Sequence, residues 1–373
     1  MTEGIITVNL KEKSYKIYIK PNILSYTGKY LNELNLSKKI LIITQDKVPN
    51  KYLKTIRLSL EKSGFTVFPL ILKSGEENKN LDSLLKIIKF AIENKFERND
   101  SFCALGGGVV SDLVGFAASI YYRGLNFISI PTTLLAMVDA AVGGKTAINI
   151  KEGKNLLGTF YQPKIVIVDP SCLKTLLKRE FLVGMGEVVK YALLEKTAKV
   201  KFNNLQYKSF FSFLKKNKKR ILRLDQKSIL NAITYSVKLK AYIVSKDEKE
   251  SGLRAVLNLG HTFAHGIEQA YNYKKYTHGE AVSIGMCFAS RLAERHKLIS
   301  KELTDEIIGL VSEYGLPTKL EANAPIQKIT NAMFLDKKVR DGKLRFILPY
   351  KNIGFVKIVS DIKIDEIKEL LTD

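Results

Sequence analysis

In the first half of the chain, short apolar runs rich in β-branched residues recur: IITVNL, YKIYIK, KILIITQ, FTVFPLIL, SFCALGG, NFISIP and KIVIVDP. Each has the length and composition of a strand. Between several of them the apolar positions repeat at three and four residues, as in NKYLKTIRLSLEKSG and NLDSLLKIIKFAIENK, which predicts amphipathic helices. Strands alternating with helices argue for an α/β fold built on a mostly parallel sheet covered by helices. From about Arg179 the pattern changes. Leu, Ile and Phe at helical spacing dominate until RFILPY and FVKIV near the end. The expected division is an α/β domain over 1–178 and a mainly α-helical domain over 179–373.

A length of 373 residues suits two domains better than one core. The richest apolar stretch, FISIPTTLLAMVDAAV, is broken by Pro131 and carries Asp139, so no membrane span is expected. The opening MTEGIITVNLKEKSYK lacks the basic start and apolar centre of a secretory signal. Cys103, Cys172 and Cys287 are far apart and odd in number, which suits reduced thiols in a cytoplasmic protein. Lys and Arg outnumber Asp and Glu by 60 to 37, a formal charge of +23. Such a surface attracts phosphates. The lysines are scattered, however, and the densest cluster, KSFFSFLKKNKKRILR, reads as a solvated helix face outside any nucleic-acid module. A small anionic substrate fits the same field, and nucleic acid is not expected as a partner.

Two places carry chemistry. In SFCALGGGVVSDLVGF a strand runs through Gly106, Gly107 and Gly108 into a helix bearing Asp112. Backbone N–H groups there can approach an anion closely, aided by the positive helix end. SGEENK after the fourth apolar run and PTT after NFISI repeat the logic, offering Glu76 and Lys79, then Thr132 and Thr133.

The second place is NLGHTFAHGIEQAYNYKKYTHGE, which holds three of the four histidines. His261 and His265 share a helix face by their spacing, and His278 opens what reads as another helix. Two imidazoles with a carboxylate from elsewhere form the ligand set of a catalytic zinc with an open position. Satisfied, partly buried histidines are the plain alternative. Three together, framed by Gly260, Gly266, Gly279 and Gly285, favour a metal or catalytic role, and spacing alone makes His265 a candidate ligand.

With GGGVVSD, the segments MVDAAVGGKTAINIKEGKNLLGTFYQP, GMGEVVKYALL, ESGLRAVLNLGHTFAHGIE and HGEAV make the chain resemble the 3-dehydroquinate synthase family, over nearly its whole length. The resemblance implies a Rossmann-like first domain and a metal-binding helical second domain. It also implies a tightly held NAD, one divalent metal (zinc, with cobalt as the alternative) and a homodimer. The substrate would be 3-deoxy-D-arabino-heptulosonate 7-phosphate, converted to 3-dehydroquinate and phosphate on the route to aromatic amino acids. The chemistry would be a transient oxidation, β-elimination of phosphate, re-reduction and an intramolecular aldol closure. Related sugar-phosphate cyclases and polyol dehydrogenases of the same architecture are the rival readings. With the last motif close to the end of the chain, fusion to further enzymes is not expected.

Carried over residue by residue, the resemblance makes Glu187, His261 and His278 the metal ligands and moves His265 to the substrate side. Glu187 and Lys190, three apart in GMGEVVK, would share a helix face. Lys145, Lys190, His265, Asp139 and Asn258 are the implied catalytic residues. Lys145, Asn155 and Lys337 would contact the substrate phosphate, with Arg123 reaching from a partner subunit. Arg254 and Lys240 would clamp the carboxylate, a task suited to a planar guanidinium. Glu250, with Asp139 and Asn258, would address hydroxyls. NAD would meet Glu76, Lys79, Gly107, Gly108, Val109 and Asp112, then Thr132, Thr133 and Lys154, then Cys172, Leu173, Lys174 and Thr175.

Two positions depart from the family pattern. Ser111 stands where the family has glycine, and its side chain would crowd a pyrophosphate if the backbone required positive φ. The ribose-contacting TD reads TQD here, Thr44 to Asp46, so Gln45 can hydrogen-bond but carries no charge. Both bear on NAD affinity.

Overall fold

The computed structural model describes residues 4–200, 207–335, 344–360 and 362–372. Two compact units emerge: Met1–Leu177 with Ile229–Lys249, and Lys178–Ser228 with Glu250–Asp373.

In the first unit all seven apolar runs become strands of one sheet. They are β1 (Gly4–Val8), β2 (Tyr15–Ile19), β3 (Lys39–Gln45), β4 (Thr66–Leu72), β5 (Ser101–Gly106), β6 (Asn126–Pro131) and, after a hairpin, β9 (Ile165–Val168). The order is β1-β2-β9-β6-β5-β3-β4, parallel throughout except where β1 meets β2. Helices α1 (Thr27–Asn32), α2 (Asn50–Lys62), α3 (Leu81–Glu93) and α4 (Gly108–Ile120) make the connections. Every residue of β5 and β9 is buried, as strands covered on both faces require.

Strands β3 and β4 lie to one side of β5, and β6 and β9 to the other. The chain therefore reverses its direction across the sheet between β3 and β5. Connections leaving such a point diverge, and the crevice beyond the strand ends is where α/β sheets bind ligands. The Gly106–Gly108 loop occupies that place.

The hairpin of β7 (Lys145–Ile150) and β8 (Gly153–Phe160) lies outside the seven runs. Its second strand is exposed along most of its length, so it lacks the apolar run that marks a core strand. Between β6 and β7 the chain makes a π-helical turn, Ala136–Ala140, carrying Asp139. Such turns often accompany functional sites.

The second unit holds α5 (Lys178–Ala192), α6 (Phe210–Leu222), α8 (His261–Ala270), α9 (His278–Arg295), α10 (Lys301–Glu313), α11 (Ile326–Leu335), the pair β10 (Phe346–Pro349) and β11 (Val356–Val359), and α12 (Ile364–Thr372). Helix α9 is buried on nearly all sides, packing against α5, α8, α10 and β10. Helix α7 (Gln226–Lys246) departs from the sequence expectation: a division at 178/179 assigns it to the second unit, whereas Ile229–Lys249 groups with the first. Polar contacts explain this. Ser245 Oγ accepts from the Asn9 N–H at 2.9 Å, and Lys240 Nζ donates to Asp139 Oδ1 at 2.6 Å. Periodicity shows that a helix exists but not which core its apolar face joins. No helix among the described residues is long and apolar enough to cross a membrane.

Candidate metal centre and cofactor loop

Helix α5 carries Glu187 and Lys190 one turn apart, both almost fully buried, with the ammonium paired to Glu187 Oε2. A buried carboxylate needs more than one cation or donor nearby to be tolerated. Two imidazoles face it. His278 Nε2, at the start of α9, lies 3.5 Å from Glu187 Oε1, and His261 Nε2, at the start of α8, lies 3.7 Å away. One ligand atom from each of the three residues falls within 4.8 Å of the others. The rings are also oriented from behind. His261 Nδ1 is 3.1 Å from the Leu259 carbonyl, and His278 Nδ1 is 3.3 Å from Glu268 Oε1. Acceptors at Nδ1 hold a proton there and leave each Nε2 as the atom turned toward Glu187, the orientation of metal-ligating histidines, in which a bound metal takes the place of any Nε2 proton.

Close helix packing makes this convergence possible. A Cβ on Gly279 would sit 2.1 Å from the Val183 carbonyl oxygen, so only glycine lets the first turn of α9 press against α5. The first turn of α9 is fixed by Glu280, whose carboxylate accepts from the Thr277 N–H at 2.8 Å and from Arg179 of α5.

Electrostatics differ between the two rings. Burial disfavours charge on His261 and the Lys190 ammonium adds to it, taking the imidazole well below its usual value of 6.5. Burial also opposes charge on His278, but the Glu268 and Glu187 carboxylates outweigh it and raise the pKa to about 10.

His265 is exposed, its ring edge-on to His261 at 5.6 Å between centroids, and it does not join the three convergent groups. The ligand candidacy that spacing alone gives His265 is therefore not supported. It stands one helical turn away from His261 along the same face. In the same unit Arg254 is almost fully buried, and Asn258 Nδ2 donates to Glu250 Oε1 at 2.7 Å. Lys337 lies outside the described residues.

In the first unit Lys79 is buried and donates to Asp112 Oδ2 at 2.5 Å and Asn155 Oδ1 at 2.6 Å. Burial raises the Asp112 pKa against the opposing pull of Lys79. Glu76 Oε1 accepts from Asn149 Nδ2 at 2.8 Å, and Asn149 in turn accepts from the Asn155 N–H at 3.0 Å. Thus Glu76, Lys79, Asp112 and Asn155 form one connected network beside the glycine loop. Cβ atoms on Gly107 and Gly108 would lie 3.3 Å from Thr133 Cγ2 and from Ala140 Cβ, so this loop is closely walled. The Thr132 N–H donates to the Gly106 carbonyl at 2.9 Å, tying β6's end to the loop. Val109 sits half-buried in the first turn of α4, Lys154 half-buried on β8, and Lys145 is exposed on β7.

The Cys172–Thr175 stretch forms a short helical turn in which Cys172 and Leu173 are buried and Lys174 and Thr175 are exposed. Tyr52 pins it, donating to the Cys172 carbonyl at 3.2 Å and pairing with Thr175 Oγ1 at 2.7 Å. Sequence reasoning missed Tyr52, which reads as an ordinary apolar position of α2. Lys240 donates to both the carbonyl and carboxylate of Asp139, each at 2.6 Å. Arg123 is exposed in the turn YYRG, where Tyr122 and Arg123 both take left-handed φ values of 48° and 62°.

At the two departures, Ser111 lies within α4 with its N–H on the Gly107 carbonyl at 3.1 Å, so its backbone is helical and the condition for crowding is not met. Gln45 Nε2 donates to the Lys73 carbonyl at 3.1 Å. Asp46 Oδ1 accepts from the Ser74 hydroxyl at 2.6 Å, which holds its carboxyl below the usual range.

Sequence profiles described as 3-dehydroquinate synthase N-terminal and 3-dehydroquinate synthase C-terminal match residues 69–183 and 184–339. The chain belongs to the 3-dehydroquinate synthase family. It is 45% identical to the 3-dehydroquinate synthase of Prochlorococcus marinus (strain MIT 9515), covering 97% of this chain and 98% of that one. Against the 3-dehydroquinate synthase of Nostoc sp. (strain PCC 7120 / SAG 25.82 / UTEX 2576) it is 44% identical, covering 99% of each. Among solved structures, the 2-epi-5-epi-valiolone synthase ValA of Streptomyces hygroscopicus subsp. jinggangensis 5008 superimposes with a TM-score of 0.85 at 27% identity, covering 97% of each chain. That structure holds NAD+ and Zn2+. A 2-deoxy-scyllo-inosose synthase shares the fold at a TM-score of 0.86, 23% identity and 99% coverage of each chain.

Proposed function

We propose that this chain acts as a 3-dehydroquinate synthase, a phosphate-eliminating lyase of the shikimate route that converts 3-deoxy-D-arabino-heptulosonate 7-phosphate to 3-dehydroquinate and inorganic phosphate. The observation that carries the reading is the convergence of Glu187, His261 and His278, with both imidazoles oriented from behind. One carboxylate and two nitrogens suit zinc, with cobalt as the alternative, and leave a position open for substrate. The glycine loop at the sheet's reversal suits the pyrophosphate of NAD, with Glu76, Lys79, Asp112, Thr132, Thr133, Lys154 and the Cys172–Thr175 turn around it. When bound, the metal supplies Lewis-acid polarisation of a hydroxyl and NAD supplies a reversible hydride acceptor.

The chain's own residues would do the rest. Lys190, paired with Glu187 in a buried setting, would hold a substrate hydroxyl by its ammonium. His265, exposed beside His261, would move a proton at that hydroxyl with Lys145. Arg254, a buried guanidinium, would hold the substrate carboxylate, with Lys240 as its companion. Lys240 already bonds Asp139, and Asn258 bonds Glu250, so each hydroxyl-directed group is held in place before substrate arrives. Lys145, Asn155 and Lys337 are the proposed phosphate contacts.

We also propose a homodimer to whose neighbouring site Arg123 contributes. Leu156 and Phe160 on β8 are 61% and 40% exposed, and Tyr122 beside Arg123 is 54% exposed. A second copy seated over β8 and the Tyr122–Arg123 turn would bury these groups. A cytoplasmic location belongs to the same reading, since Cys103, Cys172 and Cys287 are free and buried.

The test is incubation with the heptulosonate phosphate and catalytic NAD, with phosphate and NADH followed with and without chelator. Stoichiometric phosphate release with no net NADH, abolished by chelation, is expected. Accumulating NADH without phosphate would indicate a polyol dehydrogenase and overturn the reading.

A further inference from the structure

Helix α8 carries more of the metal centre than its one ligand. His261, His265 and Glu268 stand at i, i+4 and i+7 and so share one face. From that face His261 presents its own Nε2 to Glu187, while Glu268 reaches His278 on the next helix, placing Oε1 3.3 Å from His278 Nδ1. Glu268 is only 8% exposed, so its carboxylate acts in a medium that screens it little.

The two imidazoles are therefore not equivalent. Behind His261 stands a neutral carbonyl, that of Leu259; behind His278 stands a carboxylate. A charged acceptor at Nδ1 orients the ring more firmly than a neutral one and pushes electron density toward Nε2. We propose that Glu268 is a positioning residue that fixes the ring angle of His278 and makes it the stronger of the two imidazole donors to the metal. Its action on the metal would pass through the His278 ring. The inference rests on the reading of Glu187, His261 and His278 as a metal site.

The experiment uses the full chain, stripped of metal and titrated with zinc against a chromophoric chelator, for the wild type, Glu268→Gln, Glu268→Ala and His278→Ala. Glu268→Ala removes both acceptor and charge and is expected to weaken zinc about 10- to 100-fold. Glu268→Gln keeps an acceptor oxygen without the charge and is expected to fall between Glu268→Ala and wild type. Cobalt-loaded Glu268→Gln should also show altered d–d absorption, a change that a merely structural role would not produce while the melting temperature of the metal-free protein stays at the wild-type value. If Glu268→Ala does not fold, Glu268→Gln decides alone. Zinc affinity within about twofold of wild type in the Gln variant, with an unchanged cobalt spectrum, overturns the inference. Failure of the underlying reading looks different: the wild type then binds no stoichiometric zinc, or His278→Ala binds it as well as wild type does.

Discussion

Arg179 donates two hydrogen bonds to Glu280, from Nε at 3.0 Å and from Nη2 at 2.9 Å. The first residue lies in the first turn of the helix that bears Glu187, and the second sits two residues after His278. This fork ties together the two helix segments whose side chains must meet. Bidentate Arg–carboxylate pairs fix orientation as well as distance.

Arg179→Ala should consequently disturb the metal centre more than the fold. Its side chain is 61% exposed, so the stability loss should be small, ~0.5–1 kcal/mol. Zinc affinity should fall measurably, though less than in His278→Ala. Paired urea unfolding and chelator-competition curves check this; a large stability loss with unchanged zinc affinity would contradict it.

Gly279→Ala places a Cβ 2.1 Å from a backbone oxygen that cannot rotate away. Helices α5 and α9 would have to separate, at a cost of ~1–3 kcal/mol, and zinc occupancy should drop with it. Gly309→Ala in α10 is the matched control. Its Cβ meets open space, so the better helix propensity should stabilise by about 0.5–1 kcal/mol. Denaturant midpoints of the two variants should move in opposite directions.

His261→Ala should lose metal and activity together, as measured by elemental analysis and phosphate release. Normal turnover by the metal-free variant would remove His261 from the ligand set.

Glu195 supplies a pH test away from the site. Its Oε2 accepts from the Phe210 N–H at 2.7 Å at the start of α6, while Oε1 is buried with no hydrogen-bond partner among the described residues. Burial raises the Glu195 pKa, the Phe210 N–H opposing only in part. The folded state therefore binds the proton more tightly than the unfolded one. Stability then falls as pH rises from the ordinary glutamate value of 4.5 through the raised folded one. Glu195→Gln keeps the acceptor and cannot ionise. It should melt higher than wild type at pH 7 and match it below about pH 4. A constant difference across that range would refute the assignment.

Much of this architecture is legible in the residue order. Each of the seven apolar runs became a strand of the sheet, and β3, β5, β6 and β9, buried along nearly their whole length, show why: a strand covered on both faces must be apolar throughout. The exposed strand β8 carries no such constraint and left no trace. Glu187 with Lys190, and His261 with His265, were readable as shared helix faces because helical geometry is local. Glu268 stood on the same face as the two histidines of α8, a signal available at the i+7 position but indistinguishable there from a solvated acid.

The sequence by itself determined which segments are strands and helices, where the glycine loop falls, and which residue types could hold a metal, since these follow from periodicity and side-chain chemistry within a few turns of chain. Only the tertiary structure decided which groups meet. It joined α7 to the first unit, left His265 outside the three convergent groups, and placed Glu268 behind His278 and Arg179 on Glu280. Those outcomes depend on how closely α5, α8 and α9 approach, which is set by contacts such as Gly279 against Val183, 96 positions apart in the chain, and no local pattern encodes that distance.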